Sequence, residues 1–78
     1  MLLSDLMPGQ RASIQSIEAP DPIKRRLTEM GFIRGVSVLC EFDAPIQGDP
    51  MALRIKGYVL SIRRSEAACI LVEGVEYV

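Results

Sequence analysis

The chain has 78 residues and 8.6 kDa, is 49% hydrophobic, and carries 9 Lys+Arg against 10 Asp+Glu for a formal net charge of -1. That length allows one domain, residues 1–78, with little room for an internal active-site cavity, and the apolar content excludes a disordered chain. The charge balance disfavours a general nucleic-acid binder, whose affinity comes from neutralising phosphates.

Leu3 and Leu6 lie three apart before Pro8-Gly9. The spacing predicts one helical turn over 4–6, with both leucines packed inward. Arg11 to Glu18 carries Ile14 and Ile17 among polar residues. Their odd separation breaks strand alternation and predicts a strand with a bend or bulge.

A short helix is predicted from about 22 to 30. Asp21 suits the N-cap, and Pro22 then falls at the first helical position, where its missing N–H costs nothing. Ile23, Leu27 and Met30 form one apolar stripe. Gly31 stands where a left-handed C-terminal residue is expected, and Phe32 is expected to fold back onto Leu27. The outer face carries Lys24, Arg25 and Thr28.

After Arg34-Gly35, the residues Val36, Val38, Cys40 and Phe42 alternate with Ser37, Leu39, Glu41 and Asp43 as a half-buried strand. Residues 44–50 read as a loop. Met51, Leu53 and Ile55 alternate on the next strand, Lys56-Gly57 makes a turn, and Tyr58, Leu60 and Ile62 alternate on the returning one. Residues 65–68 read as one helical turn capped by Ser65, and Cys69 to Val72 as the last strand. The predicted fold is mainly β: a small five-stranded antiparallel barrel with one short helix. A five-stranded sheet with the helix on one face is the alternative.

The chain has no His, which removes imidazole-based triads and His-containing metal sites. There is no P-loop, and no residue reads as catalytic, so an enzyme is not expected. The longest apolar run, 67–72, is far short of the ~20 residues that span a bilayer. No basic region precedes the N-terminal apolar stretch, so it does not read as a signal peptide. Two Cys outside any C-x-x-C pattern fit reduced thiols in a cytoplasm. Few aromatics are available to stack bases, so no nucleic acid is expected as a partner.

Several residues invite a functional reading. Lys24, Arg25, Arg26 and Arg34 form a basic cluster around the helix. They suit either a solvated face with an Arg25–Glu29 pair or a docking patch for an acidic partner or anionic membrane surface. Arg63 and Glu66 suggest a structural clamp between a strand end and the next helical turn. Cys40 and Cys69 can ligate a metal as thiolates, but two thiols fall short of the four ligands typical of a thiolate site, and Cys40 has the inward phase of a buried, hydrophobe-like Cys.

The ordered series Leu3-x-x-Leu6-x-x-Gly9, Ile14-x-x-Ile17, Arg26-Leu27-x-x-Met30-Gly31-Phe32-x-x-Gly35-x-x-Val38, Gly48-Asp49-Pro50 and Gly57 with Ile62-Arg63-x-x-Glu66-Ala67-x-x-Ile70-x-Val72 resembles the FeoA family. The resemblance covers nearly the whole chain. It implies an SH3-like barrel and a small cytoplasmic accessory of bacterial ferrous iron uptake. Such a protein would bind and modulate a FeoB-type membrane GTPase transporter through protein contact. No cofactor is expected; the alternative is a carrier or sensor that binds ferrous iron or another transition metal ion. An exposed strand edge leaves self-association open.

Overall fold

The computed structural model describes residues 1–41 and 49–78. After a one-turn 3-10 helix (Leu3–Asp5) come β1 (Gln10–Ile17), α1 (Asp21–Glu29), β2 (Ser37–Cys40), β3 (Met51–Ile55), β4 (Tyr58–Ile62), α2 (Arg64–Ala67) and β5 (Ile70–Tyr77). The strands form one antiparallel sheet in the order β4-β3-β2-β1-β5. Each predicted strand has a counterpart, and the expected antiparallel five-stranded architecture is the observed one. The expectations for Phe42, Gly48 and the loop over residues 44–50 fall wholly or mainly on positions outside the described residues.

All five strands give inward side chains to one core. Ala12, Ile14 and Ile17 come from β1, Val38 and Cys40 from β2, Met51, Leu53 and Ile55 from β3, Ile62 from β4, and Ile70 and Val72 from β5. Leu3 and Leu6 close the core from the N-terminal turn, and Ala67 does so from α2. No charged or polar residue is buried among the described residues. Hydrophobic burial carries the fold, at roughly 1.5–3 kcal/mol for each large side chain sealed from water.

Two register shifts bend the sheet. Ile14 faces Val72 and Ser16 faces Leu71, so two steps along β1 match one along β5 and Gln15 is the extra residue. This is the predicted bulge, and it returns Ile17 to the core face. Nearer the C-terminus, Arg11 faces Glu76 and Ser13 faces Glu73. There the surplus residue lies in β5, next to Gly74 at φ +67°, a left-handed conformation that suits glycine. That bulge lets β5 run on to Tyr77, five residues beyond the predicted end at Val72. The outer edge of β5 is partly covered, because the Val72 N–H donates to the Met1 carbonyl at 2.7 Å. The far edge, β4, pairs only with β3.

The helix differs from expectation at its start and matches it at its end. Pro20 is the N-cap and Asp21 lies in the first turn, where a carboxylate still meets the positive end of the helix dipole. Of the predicted stripe only Leu27 is buried; Met30 is half-buried and Ile23 is 36% exposed. At the C-terminus the Phe32 N–H reaches the Leu27 carbonyl at 3.2 Å and the Gly31 N–H reaches the Thr28 carbonyl at 3.0 Å. These are the two bonds of a Schellman ending, with Gly31 at φ +111° and Phe32 buried beside Leu27 in the core.

Candidate functional site: a cleft beside the helix

An open cleft of about 290 Å³ lies between the second half of β1, the helix α1 and the turn that leads into β2. Its formation follows from local structure. The Schellman ending reverses the chain at Gly31, and Gly35 at φ +88° turns it into β2. The Gly35 N–H then bonds to the Ile14 carbonyl at 2.8 Å, and the Ile14 N–H bonds to the Val36 carbonyl at 2.9 Å. Beyond Ile14, β1 continues to Ile17 without β2 at its side. The cleft occupies the space that β2 leaves.

Ile17 and Phe32 supply buried apolar surface at the cleft, and Ile33 adds an apolar side chain that is 44% exposed. Lys24 and Arg34 bring two cations to it, from the helix and from the turn respectively. Glu18 is the single acid among its described lining residues. Its carboxylate accepts from the Ser16 hydroxyl at 3.4 Å. The Thr28 hydroxyl is engaged with its own helix, donating to the Lys24 carbonyl at 2.8 Å. An apolar surface edged by two cations can hold an apolar group and an anionic one side by side.

The four predicted basic residues therefore separate. Lys24 and Arg34 line the cleft, Arg25 is exposed outside the lining, and Arg26 pairs with Glu66. The ion pairs among the described residues are Arg11–Glu76 at 3.0 Å, Arg54–Glu41 at 2.6 Å and Arg26–Glu66. The expected Arg25–Glu29 pair is not one of them. Exposed helical pairs of that kind gain only about 0.3–0.5 kcal/mol, too little to hold two long side chains together.

Arg63 and Glu66 do meet, but through the backbone. The Arg63 N–H donates to Glu66 Oε1 at 3.2 Å, while Glu66 Oε2 takes the Arg26 guanidinium. Arg63, not Ser65, is the N-cap of α2, and Glu66 occupies the third helical position, from which a carboxylate reaches back to the cap N–H. The side-chain clamp is thus Arg26–Glu66, joining α1 to α2 across 40 residues of sequence. Nearby, the Arg64 guanidinium donates to the Ser4 carbonyl, and the Arg64 N–H donates to Asp49 Oδ1 at 3.1 Å.

Cys40 is buried on β2 and Cys69 is half-buried after α2; both thiols are free. Burial pushes the Cys40 thiol above its ordinary pKa, with Arg64 acting in the opposite direction and Glu41 adding to the rise. The Cys69 thiol contacts the Ser65 carbonyl at 3.8 Å. Among the described residues no three of Cys, Asp and Glu gather as a metal site would require. No helix there is long and apolar enough to cross a membrane.

One five-stranded antiparallel sheet around a single core, with a short helix between β1 and β2, defines a small SH3-like β domain. Comparison with known proteins agrees. The FeoA domain profile matches residues 1–74, and the chain belongs to the FeoA family, which is associated with ferrous iron transport. FeoA of Stenotrophomonas maltophilia, crystallised with zinc and described as a prokaryotic SH3 domain protein, is 32% identical. The match covers 99% of this chain and 96% of that one, with a TM-score of 0.85. The solution structure of a FeoA-like protein from Clostridium acetobutylicum is 38% identical over 94% of this chain and 84% of that one, with a TM-score of 0.83. A Fe(2+) transport protein A/Fe(2+) transporter FeoB fusion protein of Porphyromonas gingivalis is 40% identical over 73 residues. Those residues are 94% of this chain, and the chain spans only 8% of that relative.

Proposed function

We propose that this domain is a cytoplasmic, non-catalytic accessory of ferrous iron uptake that docks on a FeoB-type transporter and alters its state. The observation that carries the reading is the fusion protein of P. gingivalis, in which a domain 40% identical to this chain shares one polypeptide with a FeoB transporter. Covalent linkage of two units is the strongest form of raised effective concentration, and separate chains with the same task must replace it with affinity. The cleft supports the reading, since it offers apolar and cationic surface at one place. A regulator of this kind works through different affinities for two states of its partner.

The test is calorimetric titration of the domain into the purified cytoplasmic part of a FeoB-type transporter, with and without GTP. Saturable binding that differs between the two nucleotide states is expected. Absence of heat in both states, at concentrations reaching the millimolar range, would reject the docking role.

A further inference from the structure

The cleft has a feature that its side chains do not account for, namely a backbone position on β1, Ile17, with no strand beside it on that edge among the described residues. The Glu18 N–H points at the Cys69 carbonyl, 2.7 Å away. Antiparallel alternation therefore turns the N–H and C=O of Ile17 to the opposite edge of β1. Ile17 stands opposite Ile70 in the β1–β5 ladder, one residue from that bond. On its other side β2 is gone, since the last bonds between the two chains are those of Ile14 with Gly35 and Val36. One donor and one acceptor at Ile17 thus face the cleft, where another strand would lie.

We infer that the cleft seats an extended acidic and apolar segment of a partner protein, added as a short strand along the free edge of β1 at Ile17. This deepens the docking reading above and rests on it for the partner's role. Three observations converge on the occupant. The open edge at Ile17 selects an extended backbone, the mode in which main-chain bonds give affinity and alternate side chains give specificity. Ile33, 44% exposed with the core residues Ile17 and Phe32 behind it, selects an aliphatic or aromatic side chain on one face of that segment.

Lys24 and Arg34 select carboxylates. Neither takes part in an ion pair among the described residues. With Glu18 as the one acid at hand, the cleft is locally positive although the chain as a whole carries a net charge of -1. Local sign contrast of this kind steers encounter and fixes register. A proline-rich ligand, by contrast, would lack the N–H groups to meet the Ile17 carbonyl and the charge to meet the two cations.

The probe is a synthetic peptide of sequence Glu-Asp-Val-Ile-Glu-Asp, titrated into the 15N-labelled domain, with Lys-Lys-Val-Ile-Lys-Lys as control. Expected are shifts concentrated at the amides of Ile17, Glu18 and Ile33, slowed exchange of the Ile17 amide at saturation, and no response to the basic peptide. The double variant Lys24→Glu with Arg34→Glu should weaken binding at least tenfold. Arg25→Glu with Lys56→Glu changes net charge equally away from the cleft and should weaken it less than threefold. Equal loss in the two variants, or shifts spread over other surfaces, would overturn the proposal. The same variants are then titrated into the transporter's cytoplasmic part. Binding there that ignores both pairs of substitutions refutes the cleft and leaves docking intact. A peptide that seats as expected beside a transporter that does not bind supports the cleft and refutes docking.

Discussion

The Tyr58 hydroxyl donates to the Met30 carbonyl at 2.7 Å, tying the first residue of β4 to the last turn of α1. Met30 is the helix C-cap, so the bond satisfies a carbonyl that the helix itself leaves without a partner. The hydroxyl also stands close to Gly31, where a Cβ would come within 3.3 Å of its oxygen. The joint fixes where the helix ends, and hence where the turn carrying Arg34 begins.

Tyr58→Phe removes that bond and leaves the ring. The side chain is exposed, so water replaces part of what is lost, and the expected cost is about 0.5–1 kcal/mol. In a domain of this size about 1 kcal/mol corresponds to a fall of roughly 4–8 °C in Tm. Thermal unfolding followed by circular dichroism measures it. An unchanged Tm would mean that the helix terminus is held by the Schellman bonds alone.

Gly31→Ala should cost more. A side chain at φ +111° meets its own backbone, a penalty on the order of 1–2 kcal/mol, and the new methyl also crowds Tyr58. Combining Gly31→Ala with Tyr58→Phe separates the two. The backbone share persists in the double variant, whereas the contact share disappears, so urea unfolding should show a smaller penalty for Gly31→Ala in the Phe background.

At the α1–α2 clamp the two partners are unequal. Glu66 serves both the Arg63 N–H and the Arg26 guanidinium, while Arg26 contributes one exposed ion pair. Glu66→Ala should lower stability by about 1–2 kcal/mol, combining a lost cap bond and a lost pair. Arg26→Ala should lower it by under about 1 kcal/mol. Arg25→Ala, with neither role, should leave urea unfolding unchanged. Equal costs at Glu66 and Arg26 would argue that the cap bond is energetically silent.

The buried thiol predicts a pH dependence. Cys40 is held protonated in the fold, with its pKa raised by burial. Above the unfolded thiol pKa of about 8.5, the unfolded chain sheds a proton that the folded one retains. Stability contributed by this group is therefore fully present below that value and declines as pH rises through the folded pKa. The decline above pH 8.5 should flatten in Cys40→Ala, at the expense of a lower stability throughout from the cavity. An identical alkaline slope in the variant would assign the effect to other groups.

Most of the fold could be read from the residues because period two and period 3.6 leave different traces. Ile14 and Ile17 three apart within a strand signalled an inserted residue, and Gly31-Phe32 after Leu27 signalled the helix terminus. What escaped had physical reasons. β5 runs past Gly74 because its bulge breaks the alternation that would have revealed the extension. Residue preference favours Asp21 as the N-cap, yet the helix begins one residue earlier, at Asp21 itself, with Pro20 as a cap that makes no side-chain bond. The Arg26–Glu66 pair joins residues 40 apart, a proximity that no local pattern encodes. Within the basic cluster, Lys24 and Arg34 were visible as charges, but the cleft between them was not. It depends on β2 leaving β1 early, and the free edge at Ile17 follows only once the register is known.

The surplus residue at Gln15 imposes a rule about length as distinct from composition. Its side chain is exposed, so many letters will do at that position. Removing the position altogether would leave Ile14 and Ile17 two apart, both still inward by plain alternation and still opposite Val72 and Ile70, so the loss falls on the bend of the strand and not on its core face. An in-frame loss of that single codon should straighten β1 beside the helix, whereas an exchange of its identity leaves the bend in place.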